Sequence, residues 1–180
     1  MILEIDNDLQ LKTLEPKDAE ALFALTSACR DYLREWLPWV DATRRSEHSI
    51  AFIQHCQTQE AANKGFNTGI WYKGEFAGCI GFHPINWTNH SVSIGYWLGQ
   101  GFQGQGIMTR ACERLVDYAF NEFGLNRVEI RCGDNNYRSR AIPEKLGFTK
   151  EGQIRDAEWL YDHYIDLVVF GMLKREWRRG

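Results

Sequence analysis

Apolar residues recur with two different periods in the first third of the chain. Residues 9–14 alternate between apolar and polar, as a half-buried strand does. In residues 16–37 the apolar positions recur at helical spacing, and Pro16 stands at a plausible first helical position. A second helical segment begins at Ser46, a residue type common at helix caps, and stops at Gly65. The pattern predicts one strand followed by two helical segments.

The middle of the chain contains three short apolar runs separated by turn residues. The runs are TGIWY at 68–72, EFAGCIGFHPI at 75–85 and SVSIGYWL at 91–98. They are rich in β-branched and aromatic residues, which favour strands, and polar or glycine-containing turns separate them. This arrangement predicts an antiparallel meander of three strands.

The second half of the chain returns to a helix–strand alternation. Residues 107–124 keep one helical face apolar, and RVEIRC at 127–132 is typical of a strand. Residues 136–147 form a fourth helical pattern, and two final strands are predicted at 153–159 and 164–170. The order of these elements predicts an α/β (α+β) fold with a mixed, mostly antiparallel sheet flanked by helices.

Length and composition indicate one domain. The 180 residues, 44% of them hydrophobic, are enough for one well-buried core and too few for two. The sequence contains no internal repeat, low-complexity tract or Pro/Ser-rich linker. We therefore expect residues 1–180 to form a single domain.

Charge and cysteine usage point to a cytoplasmic protein with a small ligand. The formal net charge of -3 argues against binding nucleic acid through overall charge. The first ten residues lack the pattern of a signal peptide, and no stretch approaches the roughly 18 apolar residues of a membrane span. The cysteines lie far apart without a C-x-x-C pair, which predicts buried, reduced thiols, and the five histidines show no metal-ligand spacing. The cysteines are Cys29, Cys56, Cys79, Cys112 and Cys132.

A glycine-rich stretch joins the third strand of the meander to the next helix. Residues 99–104, GQGFQG, match the dinucleotide pattern G-x-G-x-x-G. Against that interpretation, SVSI alternates like an antiparallel strand, no crossover helix precedes it, and only about 75 residues follow for the rest of a doubly wound sheet. Residues 103–106 instead give Q-x-x-G at a helix start, where free backbone N–H groups favour an anion such as a pyrophosphate. A turn without a ligand also explains this stretch taken alone.

A second stretch, Asn136 to Phe148, supplies N-x-x-S followed by E-K-L-G-F. Together with Q-x-x-G about thirty residues earlier, each after a strand, it resembles the acetyl-CoA-binding core of the GNAT acyltransferases. Most of the chain, including LNRVEIRC and the tail from EGQIRDAEWL onward, is similar to the Rim-type (RimJ/RimL) ribosomal-protein N-acetyltransferases of that superfamily. The resemblance implies the GNAT fold, acetyl-CoA as co-substrate and no metal.

The resemblance also implies which residues hold the cofactor and carry the chemistry. A serine of the N-x-x-S element acts as general acid and a glutamate on the following strand as base in the Rim-type branch; the matching residues are Ser139 and Glu158. Plain alternatives stay open, since Ser139 and Asn136 are residue types that cap helices and Glu158 suits a solvated strand. The cofactor-binding residues implied are Trp97, Leu98, Gln103, Gly104, Gln105, Gly106, Ile107, Met108 and Asn136.

The sequence departs from the general GNAT pattern at two positions. Met108 stands where Gly or Ala is common, so its side chain must point away from the cofactor. Pro143 replaces the tyrosine that many members use as general acid, and it removes an N–H that the Ser139 carbonyl would otherwise accept, so the helix should be irregular there. Trp36 and Trp39 either line a groove for a cationic acceptor or pack against the sheet; the acids beside them are Asp31, Glu35 and Asp41.

These features predict acetyl transfer from acetyl-CoA to a primary amine, foremost the N-terminal α-amine of a ribosomal protein. Two alternatives remain: a small polyamine or amine drug as acceptor, and an acyl-CoA sensor without catalysis. The Rim-type resemblance also implies a possible homodimer. No direct nucleic-acid or membrane partner is expected.

Overall fold

The computed structural model describes residues 1–178, which form one sheet of eight strands with five α-helices. Short 3₁₀ turns connect some of these elements. The elements in chain order are β1 Ile2–Glu4, β2 Leu9–Thr13, α1 Ala19–Ala28, α2 Arg30–Arg34, α3 Ser46–Ala61, β3 Phe66–Tyr72, β4 Glu75–Phe82, β5 Ser91–Leu98, α4 Ile107–Asn121, β6 Arg127–Gly133, α5 Tyr137–Lys145, β7 Thr149–Leu160 and β8 His163–Leu173.

The strands lie in the order β1-β2-β3-β4-β5-β6-β8-β7. Every neighbouring pair is antiparallel except β5 and β6, which are parallel because α4 carries the chain back across the sheet between them. The predicted mixed, mostly antiparallel sheet and the three-strand meander β3-β4-β5 are confirmed.

The parallel pair is also the shortest contact between two long strands of the sheet. Ser91 to Ile94 of β5 pair with Arg127 to Ile130 of β6, and beyond these four pairs the strands are no longer partners. On its other side, β5 stays paired with β4 as far as Leu98. The sheet therefore opens between β5 and β6 at the carboxyl ends of both strands.

Helix α4 covers the sheet and forms the largest part of the core. Its apolar face, including Ala111, Leu115 and Ala119, is fully buried, as the spacing predicts. The first predicted helical segment is instead divided: a 3₁₀ turn at Pro16–Asp18 precedes α1, and Cys29 leaves the helical conformation between α1 and α2.

Several smaller predictions are corrected. Ser46 is the first helical residue of α3, and Arg45 occupies the cap position. Strand β1 was not predicted, because three residues are too few to show a period. The last two strands extend beyond the predicted bounds at both ends. All five cysteines are buried and free, as predicted.

Candidate active site

A cavity of about 960 Å³ lies at the opening between β5 and β6. Four segments line it: the end of β5, the loop leading into the first turn of α4, the first turns of α5, and residues 32–37. Residues 99–106 form the glycine loop. Ten of the eleven predicted site residues belong to β5, this loop, the start of α4, or α5 and its cap. Nine of those ten line the cavity, and Gln105 does not.

Strand alternation determines which backbone groups of β5 face the opening. The His83 N–H donates to the Ser93 carbonyl at 2.9 Å, and the Gly99 N–H donates to the Ala77 carbonyl at 2.8 Å. Because backbone groups alternate sides along a strand, those of Trp97 also point to β4, whereas those of Tyr96 and Leu98 point to the opening. Trp97 and Leu98, the two predicted cofactor-binding residues of β5, both line the cavity, but only the Leu98 N–H points to the opening.

The glycine loop has the geometry of an anion site. Gly104 and Gly106 adopt φ of +73° and +69°, in the left-handed region that favours glycine, and Gly106 precedes the first residue of α4. No side chain caps this helix, so the N–H groups of its first turn have no partner within the helix. A Cβ added at either glycine would meet no protein atom within 4 Å. The space over the loop is open to a ligand.

The side chains that open α4 point away from this space. Ile107 and Met108 line the cavity, yet their side chains are buried in the core under the sheet. Met108 therefore offers the cavity its backbone, which agrees with the expectation drawn from its departure from the family pattern. Next to the loop, the Arg138 guanidinium donates to the Gln103 Oε1 at 3.0 Å and brings a positive charge beside the free N–H groups. Arg138 was not predicted from its sequence context.

Asn136 and Ser139 hold different positions at the start of α5. The Asn136 Oδ1 accepts from the Ser139 N–H at 3.2 Å, so Asn136 caps the helix. The Ser139 hydroxyl makes no bond to its own helix: it lies 3.2 Å from the Cys132 Sγ and 3.3 Å from the Tyr96 hydroxyl oxygen. Ser139 lines the large cavity, as does Tyr96.

Pro143 and Tyr96 act together on Ser139. Pro143 lies inside α5 and cannot donate to the Ser139 carbonyl four residues earlier. The Tyr96 hydroxyl donates to that carbonyl instead, at 2.9 Å. The predicted irregularity of the helix is therefore confined to one missing hydrogen bond. Burial raises the pKa of Tyr96 well above its ordinary value, so the phenol remains a donor at neutral pH.

Glu158 lies apart from the large cavity. It is half-buried on β7, directly opposite Ile165 of β8, and residues directly opposite in an antiparallel pair share a face. Ile165 lines a second cavity of about 460 Å³. Glu158 lines neither cavity, and burial raises the pKa of its carboxyl. The structure does not place Glu158 and Ser139 in one cavity.

The two tryptophans of the loop after α2 differ in role. Trp39 packs against Trp97 with ring centroids 5.8 Å apart, in agreement with the packing interpretation. Trp36 lines both cavities, and a Cβ on Gly133 would lie 2.8 Å from its ring. Its neighbour Glu35, one of the acids beside the two tryptophans in the sequence, also lines both cavities.

Two features are absent from residues 1–178. No helix there combines the length and apolarity needed to cross a bilayer. No group of three or more potential metal ligands occurs in the same part of the chain.

Comparison with known proteins places this geometry in a family. Residues 8–149 match the model of the acetyltransferase (GNAT) domain. The putative ribosomal N-acetyltransferase YdaF of Bacillus subtilis is 37% identical over 175 residues, which cover 97% of this chain and 96% of the relative. The chain belongs to the GNAT acetyltransferase family, and it has the GNAT fold.

Two solved structures match over nearly their whole length. RimL, a ribosomal L7/L12 α-N-protein acetyltransferase in complex with coenzyme A, has a TM-score of 0.92 and 26% identity, covering 96% of this chain and 98% of that one. The microcin C7 self-immunity acetyltransferase MccE, in complex with acetyl-CoA and AMP, has a TM-score of 0.91 and 28% identity, with 95% of each chain covered. The protein is an acyltransferase enzyme whose relatives include ribosomal-protein acetyltransferases.

Proposed function

We propose that this enzyme transfers an acetyl group from acetyl-CoA to a primary amine, both substrates being bound at once. The observation that best supports this proposal is the opening between β5 and β6. It lies above a loop whose two left-handed glycines leave the first turn of α4 exposed. The N–H groups of residues 107–109, the helix dipole and Arg138 suit a pyrophosphate. Acetyl-CoA supplies the activated acetyl thioester.

The catalytic roles fall to one backbone N–H and two side chains. The Leu98 N–H polarises the carbonyl and stabilises the oxyanion that forms on attack. Glu158 accepts the proton that the amine loses, through water, because it lies outside the cavity that contains Ser139. The Ser139 hydroxyl gives its proton to the departing sulfur, in place of the tyrosine that Pro143 replaces.

The acceptor proposed first is the N-terminal α-amine of a ribosomal protein. The names of YdaF and RimL support this choice. An α-amine is roughly a third neutral at pH 7.5, whereas a free lysine is neutral about one time in a thousand. One carboxylate with a raised pKa is an adequate base for the α-amine. A small amine is the second candidate, since the similar MccE is solved with AMP, a small molecule.

The first experiment is calorimetric titration with acetyl-CoA and, separately, with NADH. We expect acetyl-CoA to bind and NADH not to bind. The glycine loop follows a strand that pairs antiparallel with β4, whereas the strands of a doubly wound dinucleotide-binding sheet are parallel. Desulfo-CoA controls for thiol reactivity. Turnover is then measured on peptides with a free N-terminus and on spermidine. Acetyl-CoA binding without turnover on a broad amine panel would favour the sensor alternative.

Tyr96→Phe tests the assignment of Ser139. Loss of the Tyr96 hydroxyl leaves the Ser139 carbonyl without a hydrogen-bond donor, so Ser139 is held less firmly in position. We expect kcat to fall about tenfold, whereas loss of a general acid itself costs roughly a hundredfold or more. The KM for acetyl-CoA should change little.

Two variants make this prediction specific. Tyr32→Phe is the matched control, since Tyr32 lines the same cavity without a hydrogen bond to Ser139. In Pro143→Ala the new N–H can reach the Ser139 carbonyl, so Tyr96→Phe should cost less in that background. Equal losses in both backgrounds would contradict the positioning role.

A further inference from the structure

The small cavity of about 460 Å³ adjoins the large one, and three residues line both: Glu35, Trp36 and Asn135. Glu35 is the one acidic side chain lining the large cavity, whose other charged lining residues are Arg138 and Lys145. The carboxylate is exposed, and across residues 1–178 it makes no hydrogen bond or ion pair. An unpaired carboxylate therefore stands where the two cavities meet.

The small cavity carries an excess of negative charge. Four carboxylates and one guanidinium line it, together with His163, which pairs with Asp162 at 2.6 Å. The guanidinium, Arg34, is already paired with Asp41 at 2.9 Å and stacks 3.9 Å from the centre of the Tyr161 ring. The four carboxylates belong to Glu35, Asp134, Asp162 and Asp166.

The chemistry of this lining suits a cation. Aromatic rings with carboxylates among them recognise ammonium groups through cation–π and charge-assisted contacts, and Trp36 and Tyr164 also line the cavity. The large cavity, by contrast, offers N–H groups and positive charge at its loop end. The two cavities thus suit ligands of opposite charge, and they meet at Glu35.

We infer that the small cavity is the acceptor's channel and that the Glu35 carboxylate binds the ammonium group of the arriving amine before it loses its proton. This inference rests on the proposed function and adds a substrate class to it. The enzyme should prefer acceptors that carry positive charge near the reacting amine over acceptors that carry negative charge there. Glu35 binds the acceptor, and the proton then passes to the base.

The test is steady-state kinetics with two hexapeptides that share a free N-terminal serine and carry Lys or Glu at positions 3 and 4. We expect kcat/KM to be about tenfold or more higher for the Lys peptide. Glu35→Gln should raise the peptide KM about tenfold while leaving the acetyl-CoA KM unchanged, and it should reduce the preference between the peptides. Spermidine, measured alongside, shows whether a polyamine is used better than a peptide.

Asp31→Asn is the matched control, because Asp31 is an exposed acid four residues away that lines neither cavity. Thermal unfolding checks that Glu35→Gln is folded. Turnover with an unchanged peptide KM in Glu35→Gln, or equal use of both peptides by the wild type, overturns this inference alone. Absence of turnover on every amine removes the proposed function and this inference with it.

Discussion

In Glu158→Gln, kcat is expected to fall about a hundredfold or more, while the affinity for acetyl-CoA stays near that of the wild type. The amide cannot accept the proton that the amine must lose. Glutamine has nearly the same size as glutamate, and position 158 lies outside the cavity that contains the glycine loop, so the affinity for acetyl-CoA should not change. Single-turnover rates and calorimetric Kd values measure the two quantities separately.

The pH dependence of the same variant gives a second readout. Burial raises the pKa of the Glu158 carboxyl, and the base acts only when ionised, so wild-type kcat should decline as pH falls through that pKa. Glu158→Gln should lack this acidic limb. Because the pKa of Glu158 is higher in the folded state than in the unfolded state, the protonated carboxyl contributes stability at pH values below its unfolded-state pKa. That contribution is lost as pH rises through the folded-state pKa. At pH 7 the variant should therefore be at least as stable as the wild type.

Asp156→Asn is the control for this position. Asp156 lies on the same strand with a φ of 48°, a conformation that asparagine tolerates, and it is exposed. Its replacement should leave kcat unchanged. A Glu158→Gln enzyme with normal kcat at neutral pH would remove Glu158 as the base.

Gly104→Val is expected to weaken acetyl-CoA binding at least about thirtyfold. Gly104 has a φ of +73°, which a β-branched residue resists by about 2 kcal/mol, so the loop of the free variant should relax away from it. Restoring that conformation on binding corresponds to roughly thirtyfold in Kd. The valine side chain also occupies the space where no protein atom lies within 4 Å of the Cβ position. Calorimetric titration with acetyl-CoA measures the loss.

Gly101→Val separates this effect from general damage to the loop. Gly101 lies three residues earlier, has an equally open Cβ position and does not adopt a positive φ. Its Kd for acetyl-CoA should remain close to that of the wild type. If Gly104→Val were folded and bound acetyl-CoA normally, the loop would not hold the pyrophosphate.

Elements with a strong local period were predictable, and those that depend on distant contacts were not. Residues 107–124 show one apolar face and the helix spans Ile107–Asn121, because its burial is encoded in its own spacing. The break at Cys29 is not visible in the sequence, where the helical spacing continues without interruption. Tertiary packing decides there against local propensity.

The same distinction applies to the site. The glycine loop and Asn136 lie in short motifs, so their positions beside the opening follow from the sequence. Tyr96 was not predicted, whereas Glu35 was one of three acids beside a possible acceptor groove and the sequence did not single it out. Tyr96 can reach the Ser139 carbonyl because it lies on β5 beyond the last residue paired with β6. Where that pairing ends depends on the register of the two strands, which the sequence does not show. Glu35 matters because Trp36 packs against Gly133, nearly a hundred residues later in the chain.

Under the proposed function, the opening in the sheet also makes acetyl-CoA a contributor to stability. Within residues 1–178, four residue pairs join β5 to β6, and the cavity beside them is lined from both sides. A molecule that binds only the folded state stabilises it by an amount that grows with its concentration relative to Kd. Under the proposed function, a cell depleted of acetyl-CoA and coenzyme A would therefore hold less folded enzyme, so supply of the acyl donor governs the protein's abundance as well as its rate.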